Sequence, residues 1–129
     1  MWQCLCVLLA EDNVVNQKLT VRLLERWGHT VTVASTGQEV LTALARQAYD
    51  LVLMDVQMPE VDGLEATSMI RAEERRRNLR PIPIVALTAQ TTPSEHEQCF
   101  AVGMDGIITK PVSRERLMRT IAEITGARK

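Results

Sequence analysis

The sequence predicts an α/β fold, a parallel sheet with helices on both faces, and two observations carry that expectation. Short apolar runs without polar alternation, at residues 4–10 and 51–54, have the composition of strands covered on both sides. Segments with helical spacing and cap residues alternate with strand-like runs five times, the order that right-handed crossovers between parallel strands produce. A length of 129 residues suits one domain, 1–129, with a core that needs no staples.

Taken in order, the first strand spans 4–10 and ends at Glu11-Asp12-Asn13. Asn13 is placed to cap a helix in which Val15, Leu19, Leu23 and Trp27 recur four apart, with Leu24 beside them and Gly28 at the end. β-Branched residues make 30–34 the second strand. Thr36 and Glu39 then stand at capping-box spacing ahead of a helix carrying Val40, Leu41, Leu44 and Ala48. The third strand, 51–54, delivers Asp55 to its carboxyl end, and a loop over 58–63 follows. The third helix, from Leu64 to about Arg75, should turn Ala66, Met69 and Ile70 inward.

Pro81 and Pro83 bracket the entry to the fourth strand, 84–87, which ends at Thr88. Thr92, Pro93 and Glu95 combine a capping box with proline at the first helical position, so a short helix should run to about Val102 and stop at Gly103. The fifth strand, 106–109, ends at Lys110-Pro111. Ser113 caps a last helix whose inner stripe is Leu117, Met118, Ile121 and Ile124.

Composition narrows the function classes. Hydrophobic residues make up 46% and charged residues 24%, and a net charge of -1 argues against general binding to nucleic acid or to a membrane surface. No apolar run approaches the length of a bilayer span, and the stretch after Met1 lacks a basic leader and a cleavage site, so a cytoplasmic location is expected. Cys4 and Cys6 stand two apart in an extended strand and Cys99 is alone, the pattern of reduced, mostly buried thiols. His29 and His96 lie at no ligand-like spacing to them and read as surface or partly buried residues. The cluster Arg75-Arg76-Arg77 with Arg80 reads as the solvated end of a helix, where cations suit the dipole.

In a parallel sheet every strand points the same way, so the residues just past the strand ends meet along one edge, the usual ligand crevice of open α/β folds. That edge collects Glu11, Asp12, Asp55, Thr88 and Lys110. Crowded carboxylates repel one another, and a hard divalent cation bound by oxygens, most simply Mg²⁺, would neutralise them. A lysine ammonium and a threonine hydroxyl can hold phosphate oxygens. Together the set suits an aspartyl phosphate, because carboxylates are known phosphoryl acceptors and the transfer depends on positioning and charge neutralisation. The plain alternative is that these are strand-end polar residues with capping duties.

Four stretches carry a resemblance: Ala10-Glu11-Asp12-Asn13, Met54-Asp55-Val56-Gln57-Met58-Pro59, Ala86-Leu87-Thr88-Ala89 and Ile108-Thr109-Lys110-Pro111. In this order they resemble the receiver domain of two-component response regulators, over roughly residues 3–126. The resemblance implies a flavodoxin-like (βα)5 sandwich of strand order 2-1-3-4-5, with Asp55 phosphorylated from a phosphohistidine on a histidine kinase or histidine phosphotransfer protein. It implies Mg²⁺ held by Asp12, Asp55 and the Gln57 backbone carbonyl, with Glu11 acting through a bound water. Thr88 and Lys110 would contact the phosphoryl oxygens, and the Lys110-Pro111 bond would be cis. Gln57 and Gln90 would tune slow autodephosphorylation. Glu11-Asp12-Asn13-Val14-Val15-Asn16-Gln17 is most similar to receivers of hybrid sensor histidine kinases, and pairing of two copies through the fourth and fifth helices and the fifth strand is a family habit.

One departure stands out. Receivers usually carry Tyr or Phe two or three positions before the lysine, and here those positions are Ile107 and Ile108. Isoleucine has no ring to relocate, so the switch position Ile107 favours a phosphoryl relay or a readout through Thr88 and the loop after it. Rival readings are a docking module that no longer depends on phosphorylation and an aspartyl-phosphate phosphatase. The phosphatase needs a second Asp where the chain has Gln57, and a nucleotide or flavin binder lacks its glycine-rich loop.

Overall fold

A computed structural model describes residues 4–58, 60–89 and 92–125. Its elements alternate as the sequence predicts: β1 (Cys6–Ala10), α1 (Val14–Arg26), β2 (Thr30–Ala34), α2 (Gly37–Arg46), β3 (Leu51–Asp55), α3 (Gly63–Arg76), β4 (Ile84–Thr88), α4 (Pro93–Ala101), β5 (Gly106–Thr109) and α5 (Arg114–Thr125). The five strands form one parallel sheet in the order β2-β1-β3-β4-β5. This is the flavodoxin-like arrangement, with β1 and β3 at the centre and the crossover direction reversing between them.

β3 and β4 are buried at every position because each faces helices on both sides. Their alternating side chains feed two cores. One joins Leu8, Met54 and Ile84 to Val40, Ile70 and Cys99 from α2, α3 and α4; the other joins Leu9, Leu53 and Leu87 to Leu24, Leu117 and Ile121 from α1 and α5. The expected caps form: Asn13, Thr36, Thr92 and Ser113 each accept a bond from a backbone N–H three residues on. Asp62 does the same for α3, although its position within the 58–63 loop predicts no cap.

Several inner faces differ from expectation. Val15 and Leu19 are exposed, while Leu23, Leu24 and Trp27 pack against the core as expected and are joined there by Val21. A strict spacing of four residues drifts by about 40° per step around a helix of 3.6 residues per turn, so that stripe cannot stay on one face. On α3, Ala66 and Ile70 point inward while Met69 is exposed, and Ala48 lies beyond the end of α2. Cys4 is exposed, Cys6 partly covered and Cys99 buried, all as free thiols.

His29 is buried rather than at the surface, and its Nδ1 accepts the Leu5 backbone N–H at 3.0 Å. That bond requires the neutral ring, and burial holds its pKa below the ordinary 6.5. A base with a depressed folded-state pKa binds fewer protons in the native state than in the unfolded one. Its stabilising contribution is therefore whole above about pH 6.5 and is lost as pH falls below it, by no more than about 1.4 kcal/mol per pH unit. His29→Asn keeps an acceptor near the Nδ1 position without titrating. Urea unfolding of the two proteins from pH 7.5 to 5.5 is expected to show the wild type losing stability faster; parallel curves would contradict this.

Two long-range ties fix the far side. The Arg71 guanidinium donates to the Gly103 carbonyl at 2.9 Å, to Glu74 at 2.8 Å and to Asp105 at 3.0 Å. Glu74 and Asp105 also accept the backbone N–H groups of Ile82 and Ile84 at 2.8 and 2.9 Å. One side chain thus clasps α3 to the entry of β4 and to the turn before β5.

Candidate functional site

The carboxyl ends of β1, β3, β4 and β5 bring Glu11, Asp12, Asp55, Thr88 and Lys110 to one edge, as the sequence predicts. The backbone sets them there: Val56 N–H donates to Leu87 O at 3.0 Å, Glu11 N–H to Ala34 O at 3.0 Å and Lys110 N–H to Thr88 O at 2.8 Å. Gly63 opens α3 directly against the end of β3. A methyl at Gly63 would overlap the Asp55 carbonyl oxygen, so glycine is what allows this approach.

Asp55 is 3% exposed and Glu11 2%, while Asp12 is open to solvent. The Asp55 Oδ1 accepts the Gln57 N–H at 3.0 Å, and its Oδ2 lies 2.9 Å from Lys110 Nζ. Lys110 also stands 3.2 Å from a Glu11 oxygen. Burial would lower the pKa of this ammonium, but hydrogen bonds and charge from Asp55 and Glu11 outweigh it and hold Lys110 above its usual range. Burial, with the adjoining Asp55, pushes the Glu11 carboxyl up. The site thus carries more negative charge than its lysine cancels.

Glu11, Asp12 and Asp55 can each offer a carboxylate oxygen within 4.8 Å of the others. Hard oxygen donors with excess charge fit a divalent cation such as Mg²⁺. Gln57 is exposed, and with Asp12, Met58, Asp62 and Glu95 it lines an open cavity of about 560 Å³ beside Asp55. Gln90 lies outside the described residues. The Lys110-Pro111 bond is cis. Ile107 is half-buried against the α4-side core and Ile108 is fully buried in the other.

Glu95 is the residue that sequence reading missed here. Its spacing from Thr92 predicts the returning half of a capping box, yet its Oε1 accepts the Thr88 hydroxyl at 3.1 Å. Spacing along one helix could not reveal a partner seven residues back on a strand.

A family model described as "Response regulator receiver domain" matches residues 7–122. The chain belongs to the response regulator receiver domains. Among curated proteins, it is 43% identical over 120 residues to the sensor protein GacS of Pseudomonas syringae pv. syringae, covering 93% of this chain and 13% of that protein. The solved receiver domain of the sensor histidine kinase PA1611 from Pseudomonas aeruginosa PAO1 is 37% identical with a TM-score of 0.85, covering 96% of this chain and 99% of that one; it holds a magnesium ion in its active-site cleft. A chain from the co-crystal structure of the Saccharomyces cerevisiae histidine phosphotransfer signaling protein Ypd1 with the receiver domain of its downstream response regulator Ssk1 is 29% identical with a TM-score of 0.93, covering 98% and 92%. This receiver spans 10–15% of the length of the first curated relatives, which include hybrid histidine kinases. Among the described residues no helix is long and apolar enough to cross a membrane.

Proposed function

We propose that this receiver is a phosphoryl acceptor in a phosphorelay, and that Asp55 is the residue modified. The observation that carries this reading is the Asp55 carboxylate, 3% exposed, with one oxygen 2.9 Å from Lys110 and an open cavity beside it. A carboxylate oxygen of Asp55 attacks the phosphorus of a phosphohistidine. The P–N bond breaks as the P–O bond of the acyl phosphate forms, and the leaving imidazole keeps the electron pair and takes up a proton. Lys110 neutralises charge on the transferred oxygens, and Thr88 donates a hydrogen bond to one of them. Asp12, Asp55 and the Gln57 carbonyl are the proposed Mg²⁺ ligands, with Glu11 in outer support; a bound ion would supply positive charge toward the phosphoryl oxygens. Gln57 and Gln90 are proposed to govern how readily water reaches the acyl phosphate.

The partner is proposed to be a histidine kinase or a histidine phosphotransfer protein. It would need to seat beside Asp12, where Val14, Val15 and Leu19 of α1 are each more than half exposed. An apolar patch next to an acidic site suits a partner that must exclude water while a histidine reaches Asp55.

The test is to incubate the protein with Mg²⁺ and acetyl phosphate and to follow intact mass. One added phosphoryl group is expected, absent in Asp55→Asn and retained in Asp62→Asn, which keeps the α3 cap. No adduct under any condition would favour a docking module that works without phosphorylation.

A further inference from the structure

We infer that Glu95 is a positioning residue that holds the Thr88 hydroxyl in the unmodified protein and surrenders it when Asp55 is phosphorylated, which frees the first turn of α4. The inference rests on Asp55 being the acceptor. Thr88 is 2% exposed at the end of β4, and its hydroxyl donates to Glu95 Oε1 at 3.1 Å. Glu95 stands in the first turn of α4, where its own N–H is held by the Thr92 hydroxyl at 3.3 Å and where an anion suits the helix dipole. It also lines the cavity that Asp12, Val56 and Gln57 share, so its charge lies on the same side of the sheet edge as the metal-binding carboxylates.

A hydroxyl has one hydrogen, so Thr88 cannot donate to Glu95 and to a phosphoryl oxygen at once. A phosphoryl group of nearly two negative charges is the stronger acceptor, and it repels the carboxylate it displaces. Glu95 therefore loses its bond and gains a like charge in one event, and α4 loses a tie to β4. This places the moving part on α4, where β5 offers only Ile107 and Ile108 in place of a ring. Glu95 thereby also opposes phosphorylation, because its bond to Thr88 must break first.

The experiment follows acetyl phosphate uptake with Mg²⁺ in wild type, Glu95→Gln, Glu95→Ala, Thr88→Ala and the Thr88→Ala, Glu95→Ala double variant. Glu95→Ala is expected to take up phosphoryl about tenfold faster than wild type, the scale of one charge-assisted hydrogen bond. Glu95→Gln, which keeps an acceptor oxygen but no charge, should fall between. In the Thr88→Ala background Glu95→Ala should accelerate uptake clearly less than in wild type, because only the charge of Glu95 is then removed and no bond to Thr88, and in unmodified protein the urea midpoints of the two substitutions should depart from additivity. An unchanged rate in Glu95→Ala, an equal acceleration in the Thr88→Ala background, or additive midpoints would each overturn the inference. A wild type that takes up no phosphoryl group would instead strike the proposed function, and the midpoints would still decide whether the Thr88 and Glu95 tie exists.

Discussion

Lys110→Ala is expected to slow phosphoryl uptake from acetyl phosphate by about 10²–10³-fold, the usual effect of removing a group aimed at charge that develops in the transition state. The same change removes the ammonium that pairs with both Asp55 and Glu11. Two nearly buried carboxylates then face each other uncompensated, and without metal the unfolding free energy should fall by about 2 kcal/mol. Lys110 holds the Glu11 pKa down, so its loss raises that pKa further and Glu11 keeps its proton to higher pH. Added Mg²⁺ should return part of the stability but not the rate, because the ion replaces charge and not the donor hydrogen. Lys110→Arg should not rescue uptake, since a planar guanidinium cannot occupy the position of a compact ammonium between two carboxylates. Uptake in Lys110→Ala within a few fold of wild type would remove the lysine from the chemistry.

Arg71→Met should lower the stability by about 3 kcal/mol, with uptake at Asp55 little changed. The side chain is 11% exposed and its guanidinium serves Gly103, Glu74 and Asp105 at once. Methionine fills much of the same volume but leaves the Glu74 carboxylate, 10% exposed, without its cation. Arg71→Lys separates fork from charge: lysine can pair with one carboxylate but cannot span three acceptors, so it should recover less than half of the loss. Urea denaturation checks both variants. A change below about 1 kcal/mol in Arg71→Met would mean that solvent already screens the clasp.

The fold was legible because the strands buried on both faces read as unbroken apolar runs and every helix but α3 announced its start with a cap. The edge site was legible for a topological reason: five parallel strands must put their carboxyl ends together, so Glu11, Asp12, Asp55, Thr88 and Lys110 had to be neighbours. Contacts between elements were not legible. His29 depends on the Leu5 N–H, 24 residues away, and Arg71 on Gly103 and Asp105, 32 and 34 residues away. Glu95 misled in a different way, since its spacing from Thr92 matched a local motif while its carboxylate was drawn to Thr88. Val15 and Leu19 misled because apolar residues at regular spacing can belong to an outward face as well as to a core, and spacing alone does not say which.

The proposed function of this receiver turns on Asp55, and its modification can be located chemically. An acyl phosphate is reduced by borohydride to the alcohol, which converts the modified aspartate to homoserine and leaves free carboxylates unchanged. The protein should be treated with acetyl phosphate and Mg²⁺, reduced and digested, and the peptides sequenced by mass. Homoserine at position 55, dependent on Mg²⁺ and absent without the phosphoryl donor, is the predicted result. Homoserine at Asp12, Asp62 or another carboxylate, or at none, would contradict the account.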